Sequence, residues 1–245
     1  MKRTVMLAAL ALAGCAHNQP TEDEYNDVAQ AIGSTTSTGD GGGEVGSFAD
    51  SARLALGDMP SGLTLAADGH VTGEHFGLDY DYQLSCTDEG GQAQAVCDET
   101  TDAANVTLSW SGSIDLPNLS ASVERTGDWT LSNIQSGAAT FAGEGTFTFD
   151  ISVQSIFRPV TSTYHLDYDA RYNAILLNAA YRPVGGSVHY SISAEHTVTG
   201  ARGEANGSFD VEADVVFNAD GTASITLDGS HHYHLDLSSG MVSKS

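Results

Sequence analysis

The sequence predicts a mainly β protein, a large antiparallel sheet curled into a sandwich, clamshell or barrel, with one or two short helices ahead of it. Three observations carry this. From about Leu63 onward the apolar residues recur at every second position. No comparable run of helical period interrupts them, which argues against parallel βαβ units. The last three segments also pair in mutually consistent registers, as hairpins of one sheet must.

The chain begins with a short basic stretch, Lys2 and Arg3, followed by the all-apolar run Val5 to Ala13. Nine apolar residues are too few to span a bilayer, which takes about 20. The run ends in Leu12-Ala13-Gly14-Cys15, followed by Ala16. This resembles the lipobox of bacterial lipoproteins. The resemblance covers only the first 16 residues or so, and it implies that residues 1–14 are a signal peptide, that the signal is cut before Cys15, and that Cys15 carries the acyl chains, palmitate among them. Ala16 in place of Asp, by analogy with enterobacterial sorting, implies the outer membrane, with the domain facing the periplasm or the cell surface. The expected domain plan is therefore 1–14 signal peptide, 15–60 lipidated cysteine, tether, helices and linker, 61–240 β domain, and 241–245 tail.

Behind Cys15 comes a tether, His17 to Pro20. Thr21-Glu22-Asp23-Glu24 has capping-box spacing, with Thr21 as N-cap. Its acids suit the helix dipole, and Tyr25, Val28, Ala29 and Ile32 share one face, so a helix is expected to about Ile32. Gly33 to Gly43 reads as a flexible Gly/Ser/Thr linker. A second helix is expected from about Phe48 to Leu56, stopped by Gly57 and Pro60.

The alternation then runs through Phe76, Leu78, Tyr80, Tyr82 and Leu84, through Val106, Leu108, Trp110, Ile114 and Leu116, through Phe147, Phe149, Ile151 and Val153, and through Tyr164, Leu166, Tyr168 and Tyr172. Each segment buries one face and wets the other, giving nine to eleven strands. In 209–217 and 223–237 the apolar residues are odd-numbered, so facing residues must have an even sum. A three-residue loop, Ala219-Asp220-Gly221, with Gly221 left-handed, satisfies this and pairs Val215 with Ile225 and Glu212 with Asp228. One strand earlier the apolar residues are even-numbered, and a turn at Ala201-Arg202 sets Ile192 against Val211 and His189 against Asp214.

Charge excludes one class of partner. With 9 Lys+Arg against 32 Asp+Glu the formal charge is -23. Removing residues 1–14 leaves 7 cations and all 32 acids. Such a surface repels phosphate, so nucleic acid is not an expected partner, and a membrane is held by the N-terminal lipid rather than by anionic headgroups. Cys86 and Cys97 remain as an even pair in an oxidising compartment and are expected to form a disulfide closing a loop of about 12 residues, worth roughly 3 kcal/mol.

The wet face of the last three strands gathers Asp210, Glu212, Asp214, Asp228, His232 and His234. Facing carboxylates repel, so a divalent cation such as calcium would explain them, as would a histidine-bound metal at His232 and His234; a plain solvated face explains them equally. No EF-hand or HExxH pattern supports the metal readings, and no cofactor is implied. Asp79-Tyr80-Asp81 and Asp167-Tyr168-Asp169 are alternating acids that would need a cleft to do acid/base chemistry. Neither GxSxG nor GxxxxGK occurs, so no catalytic residue is assigned. Tyr80, Tyr82, Tyr164, Tyr168 and Tyr233 lie on the apolar face and would line a cavity if that face were hollow. The sequence thus reads as a lipid-anchored, non-catalytic envelope β-domain with a binding or structural role; the alternatives are a carrier of lipid or another hydrophobic ligand, a cation-binding surface domain, and a hydrolase.

Overall fold

The computed structural model describes residues 20–37, 44–66, 70–75, 77–155, 160–201 and 203–245, with only the backbone of His75. Cys15 and Phe76 lie outside them. Two helices, α1 (Glu22–Thr36) and α2 (Glu44–Ala55), precede twelve strands: β1 (Leu63–Leu65), β2 (His70–His75), β3 (Leu78–Asp88), β4 (Thr101–Leu116), β5 (Leu119–Ser132), β6 (Thr140–Gln154), β7 (Val160–Leu177), β8 (Pro183–Gly200), β9 (Gly203–Phe217), β10 (Thr222–Leu227), β11 (His231–Asp236) and β12 (Val242–Lys244).

All twelve strands form one antiparallel sheet in simple sequence order, β1 to β12, and its two edges do not pair, so the sheet is not closed into a barrel. Every neighbour in the sheet is a neighbour in sequence: most apolar runs are joined by turns too short to cross over, and the twelve-residue β3–β4 connection is stapled by the Cys86–Cys97 disulfide. The registers are those the alternation demands. Ile192 faces Val211, His189 faces Asp214 and Val215 faces Ile225. The β9–β10 turn holds Gly221 at a φ of 83°, where a side chain would be strained.

The apolar face curls around both helices. Phe48 of α2 reaches Trp129 on β5, Phe141 on β6 and Tyr172 on β7. Burial along β9 alternates residue by residue from Phe209 to Phe217, as a strand with one covered face must. Where the helices lie, the apolar side is therefore packed with helix rather than turned toward solvent. No helix among the described residues is long and apolar enough to cross a membrane, which leaves open what strands do.

Both helices exceed their expected bounds. Thr21 caps α1 through the full capping box, its hydroxyl accepting from the Glu24 amide while the Glu24 carboxylate accepts from the Thr21 amide at 2.6 Å. The helix then runs past Gly33 to Thr36. Glycine does not break it because a Cβ there would meet the Gly240 carbonyl at 2.8 Å and the Val242 side chain at 2.5 Å: the helix lies so close to β12 and the preceding turn that only glycine fits. Helix α2 begins at Glu44, four residues before Phe48, because its first turn is tied into the core. Cys86 and Cys97 are bonded, with Cα atoms 5.4 Å apart, and staple the β3–β4 connection.

Candidate functional site

Three regions carry chemistry: a buried ionic cluster under α2, the acidic wet face, and the lower, uncovered part of the apolar face.

The cluster is built on Glu44, the first residue of α2, and Arg125 of β5, both almost wholly buried. The Glu44 Oε1 accepts from the Arg125 guanidinium at 3.1 Å, from the Tyr172 hydroxyl at 2.9 Å and from the Tyr168 hydroxyl at 3.2 Å, while Oε2 accepts from the Tyr190 hydroxyl. Arg125 donates to Tyr172 at 2.7 Å as well, and its guanidinium carbon sits 5.6 Å from the Trp129 ring. Burial opposes the Arg125 charge, yet the tyrosine oxygens and Glu44 around it hold its pKa above the ordinary value. Burial, and the Glu44 charge with it, pushes the Tyr168, Tyr172 and Tyr190 hydroxyls up. Three donors converge on Oε1 and one on Oε2, so the group is a clamp that fixes the start of α2 to β5, β7 and β8.

The expected tyrosines divide by position. Tyr80 and Tyr82 stack on each other in the core, Tyr168 belongs to the Glu44 clamp, and Tyr233 donates to the Asn26 side chain of α1 at 3.0 Å. These four pack against helix. Tyr164 is half-buried, its hydroxyl pushed up to about 12 by burial and by the Asp27 charge. It alone of the five lies beside the uncovered part of the apolar face.

On the wet face the acids are spread out and individually held. His189 bridges Glu212 at 3.0 Å and Asp214 at 2.9 Å. Asp228 sits in the β10–β11 turn at a φ of 45°. Its carboxylate accepts from the Glu212 amide at 2.9 Å and from the Tyr25 hydroxyl at 2.6 Å, so it does not confront the Glu212 carboxylate as the bare register suggests. His232 faces Thr226, and Asp210 faces Ser193. His234 stands between Ser224 and Ser243. Among the described residues no three His, Cys, Asp or Glu side chains converge as a metal would need. Across β2 to β8 this face holds a shallow depression of about 670 Å³ lined by His70, Asp81, Asp128, Glu144, Arg171 and His189, without an aromatic face. The carboxylates of Asp150 and Asp167, further along, accept from the two ring nitrogens of protonated His165, which raises its pKa.

The uncovered region lies past the start of α2 along β4 to β8. Val123, Phe149, Tyr164 and Leu166 are only partly buried there, and Ile114, Leu116 and Val153 are exposed.

Sequence reasoning missed Glu44 and Arg125. The signal was present for Arg125: it occupies an odd, core-facing position between Val123 and Gly127-Asp128-Trp129 in a chain with few cations. For Glu44 no local signal exists, since it follows a run of glycines and meets its partners only through the fold. No family model, curated protein or solved structure matches the chain.

Proposed function

We propose that this chain is a lipid-anchored, non-catalytic β-domain of the bacterial envelope, held by acyl chains on Cys15 at the outer membrane and serving a binding or structural role there. The observation that carries this reading is the order Leu12-Ala13-Gly14-Cys15, a short tether from His17 to Pro20, and then a capped helix bonded to the sheet. Tyr25 donates to Asp228, Tyr233 donates to Asn26, and Glu22 pairs with His231 and Lys244, so a pull on the tether is passed to the sheet. The buried carboxylate supports a non-catalytic role, since its four donors tie it to α2 and three strands as a structural clamp. The test is metabolic labelling with palmitate followed by fractionation. The wild-type chain is expected to take up label and sediment with membranes, and Cys15→Ser to do neither. An unlabelled wild-type chain would overturn the reading.

A second reading, a holder of lipid or another hydrophobic ligand, is favoured by the half-buried row Val123, Phe149, Leu166 and Tyr164 beyond the helices. Native mass spectrometry of the purified chain separates the two, because a ligand holder carries co-purifying lipid.

A further inference from the structure

The apolar face of the sheet is longer than the helices that cover it. Along β4, exposure rises from 5% at Trp110 to 56% at Ile114 and 55% at Leu116; along β6 it rises from 9% at Phe147 to 42% at Val153. The register places these side chains next to one another. Leu116 faces Leu119, which faces Val153, and Ile114 faces Ala121, which faces Ile151, which faces Tyr164. The result is a continuous aliphatic lip at the end of the sheet where β4 turns into β5 and β6 into β7. A contiguous exposed apolar patch of this kind marks a contact surface.

The anchor leads to the same end. In an antiparallel meander alternate turns share an end, so the β10–β11 turn lies on the side of the lip, and α1 starts there through Tyr25–Asp228 and Glu22–His231. The Asp228 amide donates to the Glu212 carbonyl, and Glu212 stands in one cross-strand row with Ser191, Asp169, Thr146, Thr126 and Ser109. Leu116 is seven residues further along β4 than Ser109, an overhang of about 24 Å at the strand rise. The six residue-to-residue steps from Cys15 to Thr21 span at most about 20 Å. The start of α1 and the lip therefore share one end of the sheet, and the acyl chains have to span what the tether does not.

Charge selects the surface the lip fits. Its described surroundings offer Asp115, Glu124 and Asp150, Arg158 of the β6–β7 connection lies outside the described residues, and the chain as a whole carries a formal charge of -23. Anionic headgroups would be repelled, whereas neutral headgroups over hydrocarbon are not.

We propose that the lip formed by Ile114, Leu116, Leu119, Ile151 and Val153 inserts into a bilayer of neutral phospholipids, giving the domain a second, non-covalent membrane contact that seats it with its sheet end on the lipid. This extends the anchored reading above, and the two are tested apart.

The full chain carrying Cys15→Ser, which cannot be acylated there, is floated with phosphatidylcholine vesicles, alone and with Leu116→Asp plus Val153→Asp. The apolar run Val5 to Ala13 is common to both chains, so the difference reads the lip. The expected result is a loss of binding of about tenfold or more, the effect of no longer burying two aliphatic side chains. Val216→Asp, an exposed aliphatic residue at the opposite end of the sheet, is expected to bind like its parent. In the acylated chain on vesicles of brominated phosphatidylcholine, Leu116→Trp is expected to be quenched, while Trp110 and Trp129 are sheltered in the core. Equal flotation of parent and lip variant, or an unquenched tryptophan at 116, overturns the proposal. So does a dimer in sedimentation that the lip substitutions disperse, because a second copy then covers the lip. Absence of acyl mass on the wild-type chain would overturn the anchor alone and leave the flotation comparison standing.

Discussion

At the scale of single residues, the costliest choice in this molecule is a charge pair placed inside a β core. Removing one member of a buried pair leaves the other desolvated and uncompensated, which costs about 3–5 kcal/mol, whereas replacing both is often close to neutral. Arg125→Met leaves the Glu44 carboxylate with three tyrosine donors, so the loss is expected near the lower figure, about 3 kcal/mol. Adding Glu44→Gln removes the charge but keeps an amide oxygen for the tyrosines. The double variant is therefore expected to recover to within about 1 kcal/mol of wild type. Urea unfolding of the two single variants and the double variant measures this, and a double variant as unstable as the sum of the singles would show that the pair is not one unit. The position of Arg125 was legible, since it breaks the apolar alternation of its own strand. The partner was not, because the period of a strand says which face a residue takes and nothing about which helix end lies across it.

At the scale of elements, the strands were legible almost residue by residue, and the helix ends were not. A strand's alternation is a local consequence of one covered face, and two hairpins in succession fix each other's register, which is why Ile192–Val211 and Val215–Ile225 follow from parity alone. The expected nine to eleven strands fall short of the twelve observed because β1 and β12, three residues each, are too short to show a period. Helix α1 outruns its expected end because glycine, a poor helix residue by propensity, is required by the fold at Gly33. That reversal is testable. In an exposed helix Gly→Ala gains about 1 kcal/mol. Here the new methyl would press on a backbone carbonyl at 2.8 Å that belongs to the turn before β12, so Gly33→Ala is expected to destabilise, by about 1–3 kcal/mol as an overpacked site does. Thermal unfolding of this variant beside wild type decides the sign, and a rise in Tm would mean that α1 does not press on that turn.

At the scale of the whole molecule, an open sheet closes its core with two helices, and the tyrosines at that seam couple the fold to alkaline pH. Tyr82, Tyr168, Tyr172 and Tyr190 are held neutral, first by burial and then by nearby acids, and Tyr25 and Tyr164 are pushed up to about 12. A tyrosine in the unfolded chain titrates near 10. Below that value folded and unfolded chains bind the same tyrosine protons, so these groups leave stability unchanged. Above it the unfolded chain releases protons that the folded chain keeps, and stability falls with rising pH until the folded groups ionise too. The expected behaviour is a plateau up to about pH 10 and then cooperative unfolding, with tyrosinate absorbance rising together with the loss of near-ultraviolet circular dichroism. The high negative charge of the chain acts in the same direction, through repulsion that salt screens. Repeating the titration in about 0.5 M sodium chloride, where the screening length is only a few ångströms, separates the two. The tyrosine effect keeps its onset in salt, whereas a transition driven by repulsion moves to higher pH. Smooth titration of all nine tyrosines near pH 10 with the fold intact would mean that the seam between sheet and helices is open to water.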